Sequence, residues 1–221
     1  MIKACIFDLD GTLANTLESM AYVANEILEK LKLTPQPVEN FKYYSGEGAD
    51  MLIRRCLKDA GDPELMYYEE CRSLYREKFD ADPLYKVVPY DGIMETLKEL
   101  KNRGMKLAVC SNKPHVAAVK VIAQMFDGYF DLVIGQSDEI RRKPAPDGPL
   151  KAAQEFGVTP SECMYVGDTK TDMETGNAAK MHTVGVLWGF RDRRELESNG
   201  AEVIAEKPQD LLKICEEWKN D

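Results

Sequence analysis

The sequence predicts an α/β fold, a doubly wound parallel sheet carrying an inserted all-helical cap. Three observations predict it. Short apolar runs recur along the chain, helix-length amphipathic segments fall between them, and one long stretch after the first run holds helical patterns alone.

The apolar runs are Lys3–Phe7, Lys106–Cys110, Leu132–Ile134, Cys163–Val166 and Thr183–Val186, with a weaker one at Glu202–Ile204. The first five are nearly continuous rather than alternating, as strands covered on both faces are. The segments between them, Gly92–Asn102, Val116–Met125, Pro149–Glu155 and Thr171–Ala179, are amphipathic and carry helix signals. Pro114 pre-sets the backbone at a helix start, and Gly104 and Gly157 stand at helix stops. Strand and helix in alternation imply parallel pairing.

Between Asn15 and Tyr85 the rhythm breaks. Helical patterns cover Leu17–Leu31, Ala49–Ala60 and Glu64–Phe79, and no strand pattern appears. Leu17, Met20, Ala21, Ala24, Ile27, Leu28 and Leu31 share one face of a 3.6-residue period. Thr34-Pro35-Gln36-Pro37 and Asp59-Ala60-Gly61-Asp62-Pro63 punctuate the helices. The expected division is a core of residues 1–14 and 86–221 and a helical cap of residues 15–85, joined by two linkers.

Composition narrows the function. With 221 residues, 44% of them apolar, the chain can bury a full core. Lys and Arg number 29 against 38 Asp and Glu, a net charge of −9. Nucleic-acid binding, which needs a basic face, is therefore not expected. Small phosphorylated ligands remain open, since a local lysine and a bound cation override the global field. Cys5, Cys56, Cys71, Cys110, Cys163 and Cys215 form no C-x-x-C pair and read as reduced structural thiols. No run has the length of a membrane span, and Met1–Phe7 is too short for a signal-peptide core. The expectation is a cytoplasmic monomer or homodimer with no membrane partner.

The acidic residues carry the chemical signal. The first strand runs into Phe7-Asp8-Leu9-Asp10-Gly11-Thr12-Leu13, where an open parallel sheet binds ligands beyond its carboxyl ends. Asp8 and Asp10 could simply cap a turn. The strand Cys163–Val166 runs into Gly167-Asp168-Thr169-Lys170-Thr171-Asp172, where Asp168 and Asp172 could be a helix cap and a first-turn acid. If the two strands are neighbours, these four carboxylates form a cluster that needs protons or a cation to offset it. An all-oxygen set suits a hard cation such as Mg²⁺. Ser111 and Asn112 end the second strand before a helix start, as a phosphate site or a plain cap. Lys143 lies in the doubly prolyl loop Lys143-Pro144-Ala145-Pro146, a rigid place from which to neutralise charge. Arg141 and Arg142 read as solvated charges. His115 and His182 have no metal-ligand spacing, and Trp188 and Phe190 read as packing of the loop after the fifth strand.

Asp8-Leu9-Asp10-Gly11-Thr12, Ser111-Asn112, Lys143-Pro144 and Gly167-Asp168-x-x-x-Asp172 together resemble the four ordered motifs of the haloacid dehalogenase-like hydrolases, whose core is Rossmann-like. Lys143–Leu150, the loop Ser45-Gly46-Glu47-Gly48 and Trp188-Gly189-Phe190 resemble the phosphoglycolate phosphatases within that superfamily. The resemblance implies hydrolysis of a small phosphorylated metabolite. Asp8 would be the nucleophile, Asp10 the acid and base, and Ser111 and Lys143 would complete the catalytic set. Mg²⁺ would be held by Asp8, the Asp10 carbonyl and Asp168, with Asp172 ligating directly or through water, or supporting Lys143. Substrate would meet Leu9, Asp10, Gly11, Ser111, Asn112 and Lys143 from the core and Gly46, Glu47 and Gly48 from the cap. Glu47 is at odds with an anionic substrate unless it points away. A sugar-phosphate mutase of the β-phosphoglucomutase kind, an inorganic pyrophosphatase and a non-catalytic binding module are the alternatives.

Overall fold

A computed structural model of the chain describes residues 1–218. In chain order the elements are β1 Ala4–Phe7, β2 Ala14–Asn15, α1 Leu17–Lys30, α2 Phe41–Tyr44, α3 Ala49–Asp59, α4 Tyr68–Ala81, β3 Val88–Pro89, α5 Ile93–Asn102, β4 Lys106–Pro114 and α6 His115–Met125. Then follow β5 Leu132–Gln136, α7 Asp147–Phe156, β6 Cys163–Gly167, α8 Lys170–Ala178, β7 His182–Val186, α9 Arg193–Ser198, β8 Val203–Ala205 and α10 Asp210–Glu217.

Six strands form one parallel sheet in the order β5-β4-β1-β6-β7-β8. β1 is central, with all four residues buried, which is why it reads as an unbroken apolar run. The chain leaves β1 toward β4 and β5, then crosses back to β6 on its other side. This reversal opens a crevice at the carboxyl ends of β4, β1 and β6, where doubly wound sheets bind ligands. Phe7, Leu9, Val109, Val166 and Val184 belong to the apolar cluster on one face of the sheet, and Ile6, Ala108, Ile134 and Tyr165 to that on the other.

Helices α1 to α4 form a third cluster of their own, built on Ile27, Leu28, Phe41, Ile53, Leu57 and Tyr75. Its apolar face is continued by Ala117 and Phe190 from the sheet side, so the cap packs on the core through side chains as well as linkers. The linkers are themselves paired: Ala14 lies opposite Pro89 and Asn15 opposite Val88 in an antiparallel ribbon. Two residues per strand are too few to stand out as a sequence pattern.

Four elements differ from the sequence expectation. The helix expected from Glu64 begins at Tyr68, because the Asp62 carboxylate accepts the amides of Met66 (2.8 Å) and Tyr67 (2.9 Å) and holds them in a turn. β4 runs on to Pro114, which pairs with Gln136 beyond a register shift, so Ser111 and Asn112 lie within an extended strand end. The short helices α9 and α10 were not legible, and Leu196, Leu211 and Ile214 anchor them to the sheet edge. All six cysteines are buried, and none of them forms a disulfide. No helix among the described residues is long and apolar enough to cross a membrane.

Candidate active site

Four chain segments meet at the crevice. Asp8 follows β1 and is buried, with Lys143 Nζ 3.0 Å from its Oδ1. The same ammonium donates to Asp172 Oδ1 at 2.7 Å. Asp172 Oδ2 in turn accepts the Thr169 amide (3.0 Å) and hydroxyl (2.7 Å), the capping box that starts α8. Asp168 has no exposed surface; Thr12 Oγ1 donates to its Oδ1 at 2.9 Å and the Phe190 amide to its Oδ2 at 2.8 Å. Gly11 and Gly189 make room for that carboxylate. A Cβ at Gly11 would stand 2.3 Å from Asp168 Oδ2, and one at Gly189 2.4 Å from Asp168 Cβ. Trp188 donates its indole N–H to the Thr12 carbonyl (2.9 Å), tying the loop after β7 to the loop after β1.

The carboxylate oxygens of Asp8, Asp168 and Asp172 lie within 4.8 Å of one another. Three buried carboxylates face one ammonium, an imbalance that buried sites do not sustain without protons or a cation. Burial lifts the Asp8 carboxyl to about 7; Lys143 opposes the rise, while Asp172 and Asp10 add to it. Asp168 is also pushed well up, by burial and then by Asp172 and Asp8. Burial alone would lower the Lys143 ammonium, but Asp172 and Asp8 outweigh it and hold Lys143 charged. Asp8 Oδ1 is buried with no aligned hydrogen-bond donor despite the nearby ammonium. The donor set is oxygen only, and each carboxylate oxygen keeps lone pairs beyond those already used. A hard divalent cation fits this set.

Asp10 lies on the solvent side of Asp8, and here the structure adds a residue that sequence reasoning missed. Lys113 Nζ donates to Asp10 Oδ1 at 2.9 Å, with the lysine side chain only 2% exposed. The ammonium also sits 4.5 Å from the centre of the Phe79 ring, on α4 of the cap. Lys113 is 103 residues from Asp10, so nothing local announces the pair. Ser111 Oγ accepts the Lys113 amide at 3.3 Å.

A cavity of about 470 Å³, its open mouth included, lies between core and cap. Asp8, Asp10, Ser111, Asn112 and Lys113 line its core side. Gly46 and Gly48 line the cap side, with an apolar wall of Met20, Leu52, Tyr75 and Phe79. The Leu9 side chain is fully buried in the sheet core and Gly11 packs on Asp168, so what these two residues offer a substrate is main chain. Glu47 turns from the cavity to pair with Arg55, whose guanidinium holds its carboxyl below the usual range. The conflict between Glu47 and an anionic substrate is thereby removed.

The cap loop is clamped by groups from the core. Asn112 Nδ2 donates to the Gly46 carbonyl and to the Lys143 carbonyl, both at 3.1 Å, while its Oδ1 accepts the Lys143 amide at 2.8 Å. One side chain thus fastens both the cap loop and the loop carrying Lys143. Arg142 is no idle solvated charge: it donates to the Glu47 carbonyl (3.3 Å) and pairs with Asp50 at 3.1 Å. Arg191 donates to the carbonyls of Lys42 and Ser45. Hydrogen bonds from charged donors contribute about 1.5–3 kcal/mol each. Replacing Arg142 and Arg191 together by Ala is therefore expected to speed amide exchange in residues 42–48 by about 10-fold or more, read by hydrogen–deuterium exchange. The histidines stay outside the site. His115 Nδ1 accepts the Gly135 amide, and His182 pairs with Glu202 and stacks on Trp218.

Comparison with known proteins agrees with this geometry. Residues 5–186 match the family of haloacid dehalogenase-like hydrolases. A phosphoglycolate phosphatase of Aquifex aeolicus is 32% identical over 97% of this chain and 97% of its own. One from Pseudomonas putida is 29% identical, over 96% of this chain and 79% of its own. The crystal structure of a provisionally named phosphoglycolate phosphatase from Lactobacillus delbrueckii subsp. bulgaricus superposes with a TM-score of 0.90, at 30% identity, covering 96% of this chain and 98% of that one. The chain belongs to the haloacid dehalogenase-like hydrolases, in their phosphoglycolate phosphatase-like group, and is a phosphatase.

Proposed function

We propose that the protein hydrolyses small phosphate monoesters, phosphoglycolate foremost, through a phosphoryl group carried on Asp8 and with Mg²⁺ as cofactor. The observation that carries this reading is the placement of Asp8: a buried carboxylate with an ammonium beside it, at the floor of a capped cavity that a second carboxylate, Asp10, also lines. A carboxylate oxygen of Asp8 attacks phosphorus, and the bond from phosphorus to the ester oxygen breaks. Asp10 supplies the proton that the leaving alkoxide needs. Water then attacks phosphorus, Asp10 takes its proton, and the bond to Asp8 breaks to release inorganic phosphate. Lys143 offsets charge on the nucleophile and the phosphoryl oxygens, and Ser111 offers a hydroxyl donor. Asp8, Asp168 and the Asp10 carbonyl would hold the cation, with Asp172 supporting Lys143. The bound cation supplies further neutralisation of the phosphoryl oxygens. The size of the cavity and the shared name of the relatives support phosphoglycolate as substrate.

The test is phosphate release from phosphoglycolate, hexose phosphates, nucleotides and pyrophosphate, with and without a chelator. Phosphoglycolate is expected to be turned over with the highest kcat/KM and to lose turnover on chelation. Release from pyrophosphate alone, or glucose 6-phosphate formed from glucose 1-phosphate, would sink the proposal in favour of a pyrophosphatase or a mutase.

Metal binding also has a thermodynamic signature. A carboxyl whose pKa rises on folding binds its proton more tightly in the native state, so native stability falls as pH climbs. For Asp8 the window runs from its ordinary value of 3.8 to about 7. The metal-free protein is thus expected to lose stability across that window, and Mg²⁺ to restore it on the alkaline side. A cation at a hundredfold excess over its Kd adds about 2.7 kcal/mol, or roughly 5–10 °C in Tm for a chain of this size. Thermal unfolding at pH 5 and pH 8 should show the Mg²⁺ increment mainly at pH 8; an equal increment at both would contradict the assignment.

A further inference from the structure

The cavity poses a question of charge. A substrate whose leaving group carries a second negative charge needs a cationic or N–H partner away from the phosphoryl group, which Lys143 already serves. The cap supplies no cationic side chain to the cavity, among the described residues; its lining there is Ser45, two glycines and uncharged aliphatic or aromatic side chains. On the core side Lys113 is the one cation lining the cavity among the described residues. Its side chain is almost wholly buried, and burying an ammonium is costly unless its donors are used. Lysine has three N–H donors. One serves Asp10 and the Phe79 ring covers another side of the charge, leaving donor capacity at the cavity wall. The first turn of α3 lies across the same cavity, with Gly48 and Ala49 in its lining, and the positive end of that helix dipole favours an anion there.

Building on the aspartyl-phosphatase reading, we infer that Lys113 is the residue that reads the leaving group, its ammonium receiving a carboxylate on a two- or three-carbon alcohol. The contact with Asp10 places that carboxylate next to the group that protonates the departing oxygen, so recognition and proton delivery meet at one side chain. The aromatic face of Phe79 fixes the ammonium from the cap side, and the reader is complete only with the cap seated. Selectivity for small acidic esters then arises from the core strand β4, and the cap contributes enclosure.

The test compares phosphoglycolate with 2-hydroxyethyl phosphate, which keeps the phosphoester and replaces the carboxylate by a neutral hydroxyl. It uses the Mg²⁺-loaded enzyme. Lys113→Met will slow both esters through the loss of the Asp10 partner, so the informative quantity is the ratio of their kcat/KM values. That ratio is expected to fall by about 50-fold in Lys113→Met, mostly through KM for phosphoglycolate, and to recover in part in Lys113→Arg. An unchanged ratio overturns the inference and leaves Lys113 a partner of Asp10 alone. Should Lys113→Met fail to fold, Lys113→Arg decides, because moving the charge must still alter the ratio. Wild type that hydrolyses an aryl phosphate but does not distinguish the two esters also overturns it, with the Asp8 chemistry left standing. Wild type inert on all three phosphates overturns the Asp8 reading itself.

Discussion

Asp8→Asn is expected to lower Mg²⁺-dependent hydrolysis of an aryl phosphate by about 10⁴-fold or more, since the amide is a poor nucleophile. The substitution is nearly isosteric, and it removes one of three buried carboxylates that share a single ammonium. The variant should therefore fold and, without metal, be at least as stable as wild type near neutral pH. Loss of activity with retained or raised Tm separates a chemical role from a structural one. Quenched single-turnover samples analysed by mass spectrometry should carry one phosphoryl group on the peptide containing Asp8 in wild type and none in the variant. A variant as active as wild type would overturn the mechanism.

Lys143→Met should be nearly as damaging for a different reason. Its ammonium lies 3.0 Å from Asp8 and 2.7 Å from Asp172, and its side chain is 4% exposed. Removing it leaves those carboxylates without their buried partner, a class of change that costs about 3–5 kcal/mol. In catalysis, loss of a preorganised charge at the phosphoryl group costs about 10²–10³-fold in kcat. The expected result is a kcat reduced to that extent with a Tm lowered in metal-free buffer and recovered in part by Mg²⁺. Unaltered kcat would show that Lys143 does no more than fasten Asp172. Asn112 binds the Lys143 backbone at both its amide and its carbonyl, so the lysine is positioned from its main chain as well as from its charge partners.

Much of this site could be read along the chain because its parts sit at strand ends. Asp8 follows a strand whose residues are all buried, and Asp168 follows another of the same kind. A polar residue next to such a run stands out against its neighbours. The pairing β4-β1-β6 then brings the two acids together, as expected if the strands were neighbours. Where the signal was a side chain's partner and not its type, sequence reasoning fell short. Lys113 follows Ser111-Asn112 and looks like one more polar loop residue, but its partner Asp10 comes from another strand end. Arg142 and Arg191 look like surface charges, yet they bind main-chain carbonyls of the cap loop, which carry no residue identity to read. Glu47 was misplaced for the converse reason: its position in a glycine-flanked loop was legible, whereas its direction was set by Arg55 on the next helix.

By itself the sequence determined the layered α/β core and the helical insertion, and it picked out Asp8, Asp10, Lys143 and Asp168 as candidates, because strand burial and motif order are local, one-dimensional properties. The tertiary structure alone decided which charges face one another: Lys143 between Asp8 and Asp172, Lys113 between Asp10 and Phe79, Glu47 against Arg55. Electrostatic pairing depends on distance and burial, and both are set only when separate segments of the chain pack together.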